Sequence, residues 1–295
     1  MSYDLLFLAD PEQSVPDRDL FREQFARRAF YTVQNDQAIY KNPDTGVYFL
    51  FDVVTERLED EPPSWLSFTL NFYRPHYFAL EALPELEAVV RRTSGVVLDP
   101  QDPDPAPRPF VADRFLRNWN HGNQQAYRIM PDQEREQRLQ TNHLAYPTRL
   151  LEAIWRWNLN RQQHQTEVGE NVFVPRISFI TVGGRARSTA VWTDAIPTHL
   201  PEVDAVLIYR DQLRKKNWFR GGEPDLALAP WSDLASLLQE YAREAGPFPF
   251  RKLSYTRPPD RVVDYLRSLP ILDPKPTFVS MDSVLNADLL TEREP

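Results

Sequence analysis

Trp65-Leu66-Ser67-Phe68-Thr69-Leu70-Asn71-Phe72 is the stretch on which the fold turns. Leu66, Phe68, Leu70 and Phe72 alternate with Ser67, Thr69 and Asn71, a period of two that only a strand satisfies. One face is apolar and suits a core. The other is polar and suits solvent or a ligand.

Upstream, residues 3–8 form a short apolar run that reads as a buried strand. Pro16-Asp17 then precedes a helical pattern in which Phe21, Phe25 and Ala29 recur every fourth residue. Residues 31–33 and 38–40 are β-rich. Asn42-Pro43-Asp44-Thr45-Gly46 is a turn signal, because proline presets φ and glycine supplies positive φ. Residues 47–53 leave that turn as a strand. Downstream, Pro84 fits the first turn of a second helix, with Leu86, Val89 and Val90 inward and Gly95 closing it. Residues 96–98 return as a strand. The order β-α-β-β-β-α-β, with room for one extra strand, predicts an α+β domain. Its expected form is a ferredoxin-like antiparallel sheet with two helices on one face, over residues 1–100.

Asp102-Pro103-Asp104-Pro105-Ala106-Pro107-Arg108-Pro109 is a stiff polar stretch, so residues 101–147 read as a proline-rich linker and helix, the latter with Val111, Phe115 and Trp119 in register. Residues 131–141 are highly polar, with Leu139 the one apolar residue from Gln133 to Gln140, and read as an exposed loop or surface helix. A second α+β unit is expected over residues 148–295. It starts with a helix near 149–165 carrying Leu150, Ile154 and Trp157 inward. Residues 172–182 and 187–192 form a hairpin turned by Gly183-Gly184. Residues 203–209 form another strand. Two further helices are marked by Trp231, Leu234, Leu238, Tyr241 and Ala245, then by Val262, Val263, Leu266 and Leu269. Residues 278–281 read as the last strand. Trp155 and Trp157 sit two apart, about 200° around a helix, so they cannot share one side.

Composition narrows the chemistry. The 295 residues include no cysteine, which removes disulfides, thiolate catalysis and cysteine-bound metals. Only 9 residues are glycine and 27 are proline, and neither Gly183-Gly184 nor Gly221-Gly222 opens a phosphate-cradling loop. The net charge of −8 opposes a role on nucleic acid and suits a basic protein partner. No apolar run reaches membrane-spanning length, and the first residues lack the basic start of a secretory leader, so a cytoplasmic location is expected.

The five histidines, His76, His121, His143, His164 and His199, form no zinc signature, and no metal or cofactor is expected. Arg74 and His76 follow the polar-faced strand and could contact a ligand beside Asn71. The plainer alternative is a loop fastened by its aromatic neighbours. Trp119, Asn120 and His121 lie in an amide-rich stretch that suits either a binding surface or a capped helix end. Lys215, Lys216 and Trp218 belong to a basic, aromatic segment running from Arg210 to Arg220. It could hold an anion, but a solvated loop fits the acidic balance better. Asp194, Asp204, Asp264 and Asp282 adjoin apolar segments, and any that is buried needs a partner.

With no recognisable catalytic constellation, the sequence favours a non-catalytic cytoplasmic binding protein. Its partner would be a macromolecule, and an immunity-type neutraliser of a bacterial toxin fits. The alternatives are an enzyme with a site between the two halves, using His76, His121 and a convergent acid, or a small-ligand sensor with Ser67, Thr69 and Asn71 lining the sheet face.

Overall fold

A computed structural model describes residues 1–8, 18–54, 64–92, 95–129, 144–214 and 225–288. The chain is mixed α+β and divides into two compact units, one of residues 1–148 and 282–295, the other of residues 149–281.

In the first unit, β1 (Ser2–Leu8), β2 (Tyr31–Gln34), β3 (Gln37–Lys41), β4 (Tyr48–Val53), β5 (Ser64–Asn71), β6 (Val96–Leu98) and β7 (Arg108–Pro109) make one seven-stranded sheet. The order is β2-β3-β4-β5-β1-β6-β7, and every pairing is antiparallel. The alternation predicted for residues 65–72 sets its register: Leu66, Phe68 and Leu70 pair with Phe7, Leu5 and Tyr3, and all six are buried. Phe51 and Phe49 extend the same face across β4.

Three helices cover that face. Phe25 of α1 (Arg18–Phe25) stacks on Phe51 with ring centroids 5.0 Å apart. Phe115 of α3 (Ala112–Arg128) meets Tyr3 at 5.6 Å. From α2 (Tyr77–Val90), Glu81 projects into the core, where its Oε1 accepts bonds from Tyr40 Oη (2.8 Å), Asn42 Nδ2 (2.8 Å) and Thr45 Oγ1 (2.9 Å). The turn read at residues 42–46 is thereby pinned to the helix from inside.

Several boundaries differ from the sequence expectation. Helix α2 begins at Tyr77, so Pro84 lies in its interior and not in its first turn. An interior proline costs about 3 kcal/mol. Tyr77, Phe78, Leu86 and Val89 are buried, each worth roughly 1.5–3 kcal/mol, and that outweighs the loss. Helix α1 stops at Phe25, leaving Ala29 exposed, and Val111 is half-exposed just before α3. The proline-rich stretch lies in the first unit, where the Asp102 carboxylate accepts from Arg114 Nε (2.8 Å) and Asn118 Nδ2 (3.0 Å). The backbone hydrogen bond to Asp104 and then Asn118 hold that carboxyl below its usual range.

The second unit starts with α4 (Thr148–Leu159) and α5 (Arg161–Val168), two helices where one was expected, separated at Asn160. The Asn160 side chain donates to the Arg156 carbonyl at 2.7 Å, the local competition that makes asparagine a poor helix interior. Trp157 and Trp155 are both buried, the latter beneath the Arg156 guanidinium. A hairpin joins β9 (Ile177–Val182) to β10 (Arg185–Thr193) through Gly183 and Gly184, whose φ angles of 59° and 73° suit glycine.

After β11 (Thr198–Pro201), β12 (Ala205–Arg210) lies parallel to β10, and β13 (Asp225–Pro230) pairs with it on the far side. Helix α6 (Trp231–Leu237) is shorter than expected. The chain beyond it turns into β14 (Arg243–Glu244) and β15 (Phe250–Leu253), which join β11 in a three-stranded sheet. Helix α7 (Asp260–Ser268) precedes β16 (Thr277–Val279), the edge strand beside β9. Arg210 is fully buried: it pairs with Asp225 and donates Nη1 to the carbonyls of Leu266 (2.8 Å) and Leu269 (2.9 Å), closing the C-terminal end of α7. The last described strand is β17 (Val284–Asn286), not residues 278–281, and it runs parallel to β8 (Leu144–Tyr146) in the first unit.

Candidate functional site

His164 and His199 stand 35 residues apart in sequence and meet side to side in the second unit. His164 Nε2 lies 2.8 Å from His199 Nδ1. Each ring is placed by its neighbours. On α5, Gln165 Oε1 accepts the Val174 amide (2.9 Å), while its Nε2 donates to the carbonyls of Gly169 (2.8 Å) and Val172 (2.8 Å). That ties the short helix down next to His164. On β11, His199 is register-paired with Lys252 of β15. Phe250, two residues earlier on β15, touches both imidazoles, at 5.3 Å from His164 and 5.1 Å from His199. Trp157 meets His164 edge-on at 5.4 Å and is itself fixed by a 2.9 Å bond from Nε1 to the Pro175 carbonyl.

These groups line an open cleft of about 600 Å³, together with Arg156, Asn160, Gln163, Glu167, Glu244 and the Gly246-Pro247 lip. Two of its charged groups are paired: Lys252 with Glu244 at 3.0 Å and Arg156 with Glu152 at 2.7 Å. Glu167 accepts from the neutral Gln163 amide at 2.9 Å and keeps its charge.

Burial, then the neighbouring His164, then the Lys252 ammonium hold the His199 imidazole down at about 4, against weaker support from Glu244. Burial first and Lys252 after it also lower His164, opposed by Glu167. Both rings are therefore neutral at pH 7, and one proton lies between them. Among the described residues neither His164 Nδ1 nor His199 Nε2 has a hydrogen-bond partner, and both residues line the cleft.

The residues singled out from sequence lie elsewhere. Asn71 is half-buried at the end of β5, opposite Ser2. Arg74 donates Nε to Tyr48 Oη at 2.9 Å and lies 3.7 Å from Asp282. The His76 amide donates to Asn286 Oδ1 at 2.9 Å, and its Nδ1 takes Asn286 Nδ2 at 2.7 Å. Trp119 is buried against Phe72, while Asn120 and His121 are exposed in the middle of α3, which runs straight through the amide-rich stretch. That stretch is accordingly no helix end. Its buried member, Asn123, holds the loop before α2 by accepting from the Tyr73 amide (2.8 Å) and donating to the Arg74 carbonyl (2.9 Å). Lys215, Lys216, Trp218 and His143 lie outside the described residues.

The polar sheet face is internally bonded: Asp4 accepts from Thr69 Oγ1 (2.7 Å) and Ser2 Oγ (3.0 Å). Of the four acids, Asp194 takes three backbone amides, those of Asp211, Gln212 and Leu213, each at 3.0 Å. Asp204 bonds Ser188, Asp264 is exposed and Asp282 faces Arg74.

The histidine pair was invisible in the sequence because nothing local marks it. The one available signal was a polar residue, His199, beside the apolar Leu200 on a strand flanked by prolines. No group of three or more metal-ligating side chains occurs among the described residues, and no described helix is long and apolar enough to cross a membrane. Comparison of the chain with family models, curated proteins and solved structures finds no match.

Proposed function

We propose that this chain is a non-catalytic binding protein acting in the cytoplasm, and that its recognition site is the cleft of the second unit. The observation that carries this reading is the histidine pair, which lines a cleft of about 600 Å³ with two ring nitrogens unengaged among the described residues. Ligand sites of roughly 300–1,000 Å³ with a few converging polar groups are the usual seat of small molecules. The cleft lining contains no hydroxyl or thiol side chain among the described residues, which favours holding a ligand over attacking one.

Ligand-observed NMR with a fragment library tests this. Compounds that bind the wild-type chain are expected to lose at least tenfold in affinity to the double variant His164→Leu/His199→Leu. Equal binding to both proteins refutes the proposal.

A macromolecular partner is the second reading, and an immunity-type role belongs to it. Phe278 supports it, being 53% exposed on the edge strand β16, as does the net charge of −8, which suits a basic partner. Loss of protection against a co-encoded toxin in Phe278→Ser, with folding intact, is the expected result. Full protection removes Phe278 from the interface.

For the first unit we infer an enlarged ferredoxin-like sandwich. The order β6-β1-β5 supports it, because α2 carries the chain from β5 across β1 to β6. The four-stranded meander β2-β3-β4-β5 would then replace the usual hairpin.

A further inference from the structure

We infer that the cleft of the second unit takes an uncharged amide-bearing ligand, because its floor offers one donor and one acceptor. This rests on the cleft being the recognition site.

The chemistry of the floor stems from one proton shared between two rings. If His164 Nε2 carries it, His199 Nδ1 accepts it, leaving His164 Nδ1 bare and His199 Nε2 protonated. If His199 Nδ1 carries it, the roles of the outer nitrogens exchange. Either way one outer nitrogen donates and the other accepts. An amide has an N–H and a carbonyl, so it satisfies whichever nitrogen it meets in either tautomer. A carboxylate only accepts, and an amidinium only donates.

The walls reinforce this selection. Lys252 is paired with Glu244 and Arg156 with Glu152, while Glu167, bonded to the neutral Gln163 amide, keeps its charge. An anion entering the cleft sheds its hydration without gaining a free counter-charge, which is the costly way to bury charge. A cation drawn by Glu167 still leaves the donor nitrogen of the floor without an acceptor. An anion can recruit both outer nitrogens as donors only if the pair takes up one more proton, which the lowered titration of both rings opposes at pH 7. Phe250, packed on both imidazoles, and Trp157, edge-on to His164, restrict rotation of the rings.

Benzamide, benzoate and benzamidinium form a series of one shape and three charges. Their titration into the full chain, monitored by the imidazole ¹⁵N resonances, is the test. Benzamide is expected to bind at least tenfold more tightly than either ion, with an affinity that stays flat between pH 6 and 8. Its binding should fall at least fivefold in His164→Leu and in His199→Gln, the latter keeping a polar side chain in case the former fails to fold. Benzoate or benzamidinium binding within threefold of benzamide overturns the ligand class. So does silence of both histidines toward all three compounds while other fragments still occupy the cleft. Should every fragment ignore both substitutions, the recognition site itself is elsewhere.

Discussion

His76 and His199 stand in polar clusters of opposite kinds. In the first unit, His76 is closed in by the chain: Asn286 grips its amide and Nδ1, and donates also to Thr148 Oγ1 at 3.0 Å. In the second unit, His199 is satisfied on one side only and lines a cleft. Glu81 belongs with the first kind, since three donors converge on one of its oxygens. A polar group enclosed by fixed partners is a fastening. A polar group left half-satisfied beside open volume is a place for something else to bind.

Substitutions can break this contrast, starting where the effect is greatest. Glu81→Leu leaves Tyr40, Asn42 and Thr45 with buried donors and no acceptor, and is expected to cost about 3–5 kcal/mol in urea denaturation. A loss below about 1 kcal/mol would show that the enclosed carboxyl is no fastening. Asn286→Ala removes three bonds at a buried site and should cost about 2–3 kcal/mol, with faster hydrogen exchange over residues 284–286 and 144–146.

Gly122→Ala sharpens the picture of how the first unit is packed. Its added methyl would lie 2.6 Å from the Phe72 ring, which must move. Overpacking of about 2–3 kcal/mol, less about 1 kcal/mol gained in helix propensity, predicts a net loss of about 1–2 kcal/mol by thermal unfolding. A stabilised variant would mean that Phe72 yields freely.

The open pair predicts the smallest effect, and one that depends on pH. His199 titrates at about 4 in the folded chain and near 6.5 when unfolded. The unfolded chain therefore takes up the proton first. This histidine's contribution is fully present above about 6.5 and is lost as pH falls from there towards 4. Allowing for solvent in the cleft, it amounts to about 1–2 kcal/mol. His199→Phe should flatten the acid limb of the stability curve by that much and change stability little at pH 7.5. An unchanged acid limb would contradict the depressed titration.

What the sequence revealed and what it hid divide along the same line. The period-two pattern of residues 65–72, the turn at 42–46 and the Gly183-Gly184 hairpin are local signals, and each appears where expected. Helix limits were harder, because burial of Tyr77 and Phe78 overrides the proline rule at Pro84, and one asparagine divides α4 from α5. The histidine pair needed β11 and α5 to be brought together through Phe173, Val174 and Gln165. No spacing along the chain encodes that. Likewise Glu81 reads as an ordinary helix-surface acid until Tyr40, Asn42 and Thr45 are placed above it.

All of the second unit is interposed in sequence between β8 and β17, yet these strands are neighbours. During synthesis, therefore, the ribosome must release the entire inserted unit before the strand that finishes its host can pair. The earlier-made portion waits, with Asn286 and its grip on His76 arriving only after the inserted unit has been translated.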